Sequence, residues 1–216
     1  MASSISLISR DGTPLAGLAF DAPAGAPGVV VVPGLGSRKE NHADFAERCA
    51  GAGMAAVCLD VRGHGASGGV LDAGAVDDVL AAAGWLAERG HARIGLRGSS
   101  MGGYLALLAA AREPRVRAVA AICPARPEPL ARRTGDDWPL GLPLLPAVAR
   151  RDGVARGYWH ATGDESVPWA HSFGLAQHTP QPMRLRVILG GHHRSLQHDP
   201  AILTETVAFL VEHLAP

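Results

Sequence analysis

A serine flanked by glycines is the first candidate for chemistry in this sequence. The segment from Gly98 to Gly102, Gly-Ser-Ser-Met-Gly, joins a short apolar run at 94–96 to a helix-like apolar run at 104–111. A strand that turns into a helix within about four residues needs a strained turn, and glycines two positions before and after a serine let neighbouring backbone approach. The hydroxyl of Ser100 would stand at the positive end of a helix, where a developing oxyanion is stabilised. The spacing predicts a nucleophile for acyl transfer at Ser100, with Ser99 as the rival that lacks these glycine offsets.

A serine nucleophile needs a base to remove its proton and an acid to orient that base. Asp164 follows the strand predicted at 154–161, and His193 follows the strand predicted at 183–189. Because active residues of a parallel sheet collect where its strands end, we expect both side chains on the same edge as Ser100. The chain order Ser, Asp, His is the one found when the nucleophile lies on such a strand-to-helix turn.

Both partners of the serine have alternatives. Asp164 could instead be the N-cap of a helix, in which case Glu165 is the backup acid. His192 stands beside His193, and either ring could face the serine. Several other histidines show no tight spacing of metal ligands, so no metal site is predicted from them: His160, His171, His178 and His198.

We expect the oxyanion hole to consist of backbone N–H groups. Met101, directly after the nucleophile, supplies one at the start of a helix, and Leu35 supplies the other. Leu35 lies in a glycine-rich segment, 33–37, that follows four consecutive valines at 29–32. Two such donors act on the charge that develops in the tetrahedral intermediate.

Strands and helices alternate along the predicted chain after an N-terminal hairpin. Asp-Gly between the runs 5–9 and 15–20 is a hairpin signal, and the valines at 29–32 are typical of a central parallel strand covered on both faces. The other predicted elements are strands at 55–59, 94–96, 116–123, 154–161 and 183–189, and helices at 41–51, 72–88, 104–111, 169–177 and 200–214. This alternation predicts an α/β fold, with a mostly parallel central sheet, an antiparallel N-terminal hairpin and helices on both faces.

The segment from about 124 to 151 interrupts that pattern. It is rich in proline and combines an arginine cluster with an apolar patch from Trp138 to Leu145. We interpret it as a short cap-like insertion over the top of the sheet, within a single domain of residues 1–216. The apolar patch could line an acyl pocket or anchor the excursion to the core. The arginines, which could meet an acidic substrate or simply face solvent, are Arg126, Arg132 and Arg133.

Composition limits the partners that we expect. The 216 residues include 20 basic and 20 acidic side chains, so neither nucleic acid nor a membrane surface is an expected partner. No segment has the length of a membrane span or the pattern of a signal peptide. Three widely spaced cysteines in apolar context indicate reduced thiols and a cytoplasmic protein.

These motifs together resemble those of the α/β-hydrolase superfamily over nearly the full chain. Pro-Gly-Leu-Gly at 33–36 resembles the His-Gly-x-Gly oxyanion loop, and the segment 60–67 matches the structural motif Asp-x-Arg-Gly-x-Gly-x-Ser. Residues 164–168 resemble the acid loop Asp-x-x-Val-Pro. The segment 191–195 resembles the terminal Gly-x-His-Arg motif, which favours His193 over His192. Within the superfamily the chain is similar to small bacterial esterases of the dienelactone-hydrolase-like and serine-aminopeptidase-like type.

The resemblance implies a serine hydrolase, without cofactor or metal, that cleaves a carboxylic ester or thioester of a small acyl substrate. Ser100 would attack, His193 would take and return the proton, and Asp164 would hold the imidazole. A cofactor-free haloperoxidase or an acyltransferase can use the same triad. A non-catalytic binding module on this fold is a further alternative, although such proteins usually lose a member of the triad.

Overall fold

The computed structural model describes residues 2–125, 140 and 144–215, and an eight-stranded sheet runs through them. Its strands are β1 Ala2–Ile8, β2 Pro14–Phe20, β3 Gly28–Val32, β4 Ala55–Leu59, β5 Ile94–Ser99, β6 Val116–Ile122, β7 Ala155–Ala161 and β8 Met183–Ile188. Their order across the sheet is β1-β2-β4-β3-β5-β6-β7-β8. β2 runs antiparallel to both β1 and β4, and all other neighbours are parallel. The predicted mostly parallel sheet with an antiparallel N-terminal hairpin is therefore confirmed.

Helices cover both faces of this sheet, as predicted. They are α1 Ala43–Gly51, α2 Ala75–Glu88, α3 Met101–Ala110, α4 Leu144–Ala149, α5 Ala170–Gln177, α6 Ser195–His198 and α7 Pro200–Leu214. The side chains of β3 divide between the two faces: Val30 and Val32 join the core shared with α2 and α3. Val29 and Val31 join the core shared with α1 and α7. Four apolar residues in a row are needed because both faces of this central strand are buried.

Some helix starts differ from the sequence prediction for local reasons. The helix expected from residue 41 begins at Ala43, because a short 3-10 helix, Lys39–His42, precedes it. The helix expected from residue 72 begins at Ala75, since the Asp72 carboxylate accepts the N–H of Gly74 in a preceding turn. α7 begins where predicted, because Asp199 accepts the N–H groups of the first turn and proline occupies its first position.

The segment 60–67 has the structural contacts expected from its motif. The buried carboxylate of Asp60 accepts hydrogen bonds from the backbone N–H and the ammonium group of Lys39 and from the N–H of Ala66. A Cβ at Gly65 would overlap that carboxylate, which explains the glycine. Arg62 pairs with the buried Asp78 and so ties this turn to α2. The segment therefore shapes the loop after β4 and holds it against the loop after β3.

Only part of the predicted insertion at 124–151 is described. Leu140 and Leu144 are buried in the core that contains α3, and the hydroxyl of Tyr104 donates to the carbonyl of Leu140 at 2.7 Å. These contacts anchor the two leucines onto the core beside α3. The remaining residues of the predicted arginine and apolar groups lie outside the described residues: Arg126, Arg132, Arg133, Trp138 and Leu142. Within the described ranges, every helix is too short or too polar to cross a bilayer.

Candidate active site

Ser100 lies at the junction of β5 and α3 in a strained backbone conformation. Its φ of 53° and ψ of −117° fall in a region that residues with side chains rarely adopt. Three hydrogen bonds hold the turn: the Ser100 N–H donates to the carbonyl of Ile122, and the Ser100 carbonyl accepts from the N–H groups of Tyr104 and Ala125. The turn therefore fixes the point at which the hydroxyl leaves the chain.

The glycines on either side of this serine are required by close backbone contacts. A Cβ at Gly98 would overlap the carbonyl of Gly102, and a Cβ at Gly102 would overlap the carbonyl of Val32 at the end of β3. Gly34, in the loop after β3, would place a Cβ 3.2 Å from the Ser99 carbonyl and 3.4 Å from the Ser100 Cβ. The loop after β3 and the serine turn can pack together only because these positions lack side chains.

Replacing Gly102 with alanine is expected to lower the free energy of unfolding by at least about 2 kcal/mol, because the new methyl group must displace backbone of a central strand. Gly84 is the matched control, since it lies within α2 and a Cβ there meets no atom within 4 Å. Gly84→Ala should stabilise the protein by about 0.5–1 kcal/mol. Chemical denaturation measures both, and equal stability of Gly102→Ala and the wild type would contradict the argument.

Asp164 and His193 are brought together by two adjoining loops. The His193 Nδ1–H donates to Asp164 Oδ2 at 2.7 Å, and Asp164 is buried while His193 is partly exposed. The loops are joined by backbone, because Gly163 N–H donates to the carbonyl of Gly190 at 3.1 Å. A Cβ at Gly163 would overlap the carbonyl of Gly191, so this approach also depends on glycine.

The Asp164 carboxylate is held in its ionised form. Burial acts to raise its pKa, but hydrogen bonds from His160, His193 and the Val167 N–H outweigh burial and hold the pKa well below its usual range. Its Oδ1 accepts the N–H groups of Ser166 and Val167 at 2.8 and 2.7 Å. Trp169, not Asp164, is the N-cap residue of α5. The carboxylate therefore caps a turn and faces the imidazole, as a residue that orients a base must.

The two neighbouring histidines have different surroundings. His192 is exposed, and its Nδ1 accepts the Arg194 N–H at 3.3 Å. His193 is the one whose ring bonds to Asp164. Glu165, the backup acid, is exposed, whereas Asp164 is buried.

A cavity of about 220 Å³ opens beside these residues. Ser100, His193 and Leu35 are among the described residues that line it, and Leu35 is 50% exposed. Met101 is the first residue of α3, so its N–H belongs to the helix start, where N–H groups have no partner within the helix. Its side chain is buried beneath the turn. All five predicted site residues thus follow the ends of strands β3, β5, β7 and β8, at one edge of the sheet. The complete described lining is Gly34, Leu35, Gly36, Ser37, Asn41, Ser100, His193, Arg194, Gln197 and His198.

His160 is a neighbour of the site that the sequence did not reveal. It is fully buried. Its Nε2–H donates to the Val167 carbonyl at 2.8 Å, and the same nitrogen lies 3.3 Å from Asp164 Oδ2. Its Nδ1 lies 2.7 Å from the Ser172 hydroxyl. The available signal was the spacing of four residues between His160 at the end of a strand and Asp164 in the following loop.

Cys123, His160 and Asp164 form the group of possible metal ligands found among the described residues. Their ligand atoms lie within 4.8 Å of one another, and all three are buried. Burial raises the pKa of the Cys123 thiol, so a metal bound there would have to displace its proton. The imidazole of His160 and the carboxylate of Asp164 already form hydrogen bonds within the protein. The three residues are therefore better explained as surroundings that hold Asp164 in place than as a metal centre.

Comparison with known proteins gives the same fold. The family model described as serine aminopeptidase, S33, matches residues 25–138. No curated protein matches the chain. Among solved structures, the α/β hydrolase GrgF from Penicillium sp. sh18 is 22% identical, with a TM-score of 0.86 and 100% of both chains covered. Est1E from Butyrivibrio proteoclasticus, with ferulic acid bound, is 23% identical, with a TM-score of 0.83 over 97% of this chain and 99% of the other. An esterase from Pyrococcus furiosus is 19% identical, with a TM-score of 0.80 over 100% of this chain and 92% of the other.

Proposed function

Because this chain belongs to the serine aminopeptidase S33 family and is an α/β hydrolase, we propose that it is a serine hydrolase that cleaves a carboxylic ester or thioester of a small acyl substrate. The observation that carries the proposal is the 2.7 Å hydrogen bond between Asp164 and His193 beside a cavity that His193 shares with Ser100. Two solved relatives of this fold are an esterase and a protein with ferulic acid bound, which supports ester chemistry.

The proposed reaction uses His193 as the base. Since its Nδ1–H is donated to Asp164, its Nε2 is free of hydrogen and takes the proton of Ser100 as the hydroxyl oxygen attacks the acyl carbon. The imidazolium that forms is stabilised by the carboxylate, which stays ionised at neutral pH. His193 then returns the proton to the leaving alcohol or thiol, and the acyl group remains on Ser100. A water molecule, deprotonated by the same ring, releases the acid.

The second requirement of this reaction is stabilisation of the negative charge that develops on the acyl oxygen. The N–H groups of Met101 and Leu35 are the proposed donors, because one begins a helix after the nucleophile and the other belongs to the loop that packs on the serine turn. Loss of one such donor typically costs about 2.7–4 kcal/mol of barrier. Both donors are backbone groups, so the side chains of Leu35 and Met101 have no part in this role.

The direct test is covalent labelling combined with turnover. We expect a fluorophosphonate probe to label the protein on Ser100, identified by peptide mass spectrometry, and we expect hydrolysis of p-nitrophenyl acetate and butyrate. Labelling should be lost when the protein is unfolded, because activation of the hydroxyl requires the folded site. A protein that is neither labelled nor active on these esters would be a binding module. Product that passes mainly to an added alcohol would instead indicate an acyltransferase.

A further inference from the structure

A buried arginine contacts a residue that lines the cavity and has no carboxylate partner among the described residues. Arg97 precedes Ser100 by three residues on β5 and is fully buried. Its guanidinium packs over the ring of Phe45, 4.7 Å from the centroid, and Nη2 donates to the carbonyl of Gln197 at 2.8 Å. Burial lowers the pKa of Arg97 to about 10, so the group keeps its charge at neutral pH. Asp44 acts on this charge but forms no ion pair with it.

This arginine fixes the tautomer of a buried histidine. Arg97 Nη1 lies 3.0 Å from His42 Nδ1, and a guanidinium can only donate, so Nδ1 is the acceptor. Burial and the nearby Arg97 charge lower the pKa of His42 to about 3, so its ring is neutral at neutral pH. A neutral ring that accepts at Nδ1 carries its hydrogen on Nε2. His42 is therefore a donor toward its next neighbour.

That neighbour is Ser37, which lines the cavity together with Ser100. Its hydroxyl oxygen lies 3.3 Å from His42 Nε2 and 3.2 Å from Asn41 Nδ2, and both nitrogens donate. A serine oxygen has two lone pairs, and these two contacts occupy both. The hydroxyl proton is thus left to donate to a molecule in the cavity.

The charges around the cavity favour the same kind of ligand. Arg194 lines it beside His193. The described lining contains no aspartate or glutamate, and one lining residue, Gln197, accepts a hydrogen bond from the guanidinium of Arg97, whose charge is buried and weakly screened. Arginine and a hydroxyl donor together suit a carboxylate, which only accepts hydrogen bonds.

We propose that Ser37 and Arg194 bind a carboxylate of the substrate that takes no part in the reaction, so that the preferred substrate is a small ester or thioester with one free carboxylate. This inference rests on the proposed function and names the substrate class of the same site. Arg97 and His42 contribute by holding Ser37 as a donor. They act through Ser37 and do not touch the substrate.

Two pairs of isosteric esters test the proposal. In the first pair the carboxylate is on the acyl side: monoethyl glutarate against ethyl 5-methylhexanoate. In the second it is on the alcohol side: acetoxyacetate against isobutyl acetate. We expect kcat/KM of the anionic ester to exceed that of its neutral partner by at least about tenfold in one of the pairs, since only the anionic member can accept charge-assisted hydrogen bonds from Arg194 and Ser37.

The variants Ser37→Ala and Arg194→Gln should each reduce that ratio by about tenfold, the effect of roughly 1.4 kcal/mol. Matched controls are Ser4→Ala in the exposed edge of β1 and Arg10→Gln in the exposed hairpin turn, which should leave the ratio unchanged. As a second measurement, glutarate should protect Ser100 from the fluorophosphonate probe in the wild type and about tenfold less well in Ser37→Ala.

The outcomes separate this inference from the proposed function. Hydrolysis of both members of each pair at similar rates, with no change of ratio in Ser37→Ala, would overturn the carboxylate site and leave the hydrolase intact. Absence of labelling at Ser100 together with absence of turnover would overturn both. Labelling of Ser100 without protection by glutarate would also overturn the carboxylate site alone.

Discussion

Replacement of Ser100 by alanine is expected to lower kcat for ester hydrolysis by about 10⁴-fold or more, because the reaction then has no nucleophile and only the remaining groups can assist water. The loss should appear in kcat for p-nitrophenyl butyrate while chemical denaturation shows an unchanged fold. Stability should change little, because the strained φ of 53° exists in both proteins and a methyl group fits where the serine Cβ already lies. Fluorophosphonate labelling should disappear with the activity.

Ser99 supplies the matched control for this prediction. It is the rival nucleophile of the sequence motif, yet it is fully buried and its hydroxyl has no hydrogen-bond partner among the described residues. Ser99→Ala removes a polar group that is buried without compensation, so activity and stability should both be retained. Loss of activity in Ser99→Ala, with activity retained in Ser100→Ala, would mean that Ser99 and not Ser100 is the nucleophile.

The parts of the fold that could be predicted are those governed by short-range patterns. The four valines of β3 predict a strand buried on both faces because no polar residue interrupts them. Asp199 followed by proline marks the start of α7 because a carboxylate cap and a residue without an N–H both suit the first turn. The glycines around Ser100 predict the turn because close backbone approach at a strand-to-helix junction leaves few other choices.

What could not be predicted depends on contacts between distant parts of the chain. The strand predicted at 94–96 extends to Ser99. The prediction ended it too early because Arg97 is charged, whereas in the structure this arginine is buried over the ring of Phe45. The link from Arg97 to His42 joins residues 55 positions apart. The sequence predicts no part in the site for His160, because only the loop after β7 brings Asp164 to its ring.

The choice between the two histidines could not be made from local pattern either. Gly190 and Gly191 both have positive φ, at 74° and 70°, so the chain leaves the regular alternation of β8 before it reaches the two histidines. Without that alternation, nothing in the residues themselves indicates which ring faces the sheet edge. The resemblance to a family motif favoured His193, and the hydrogen bond to Asp164 favours the same residue.

Replacing His193 with alanine is therefore expected to lower kcat by about 10⁴-fold or more, since the serine loses its base and the leaving group loses its acid. His192→Ala is the neighbouring control: this ring is exposed and accepts the Arg194 N–H of its own loop, so kcat should stay within about twofold of the wild type. Steady-state kinetics with p-nitrophenyl butyrate measures both variants under one set of conditions.

A variant of Asp164, alone and combined with His193→Ala, tests the route of the proton. If His193 acts only as a base held by Asp164, then Asp164→Asn should lower kcat by about 10⁴-fold, because an amide can donate its N–H to Nδ1 and leave the ring hydrogen on the atom that faces the serine. Combining Asp164→Asn with His193→Ala should then cost little more than His193→Ala alone, since residues that act as a unit are not additive. Additive losses in the double variant, or full activity in either single variant, would mean that the hydrogen bond between Asp164 and His193 serves the fold and not the reaction.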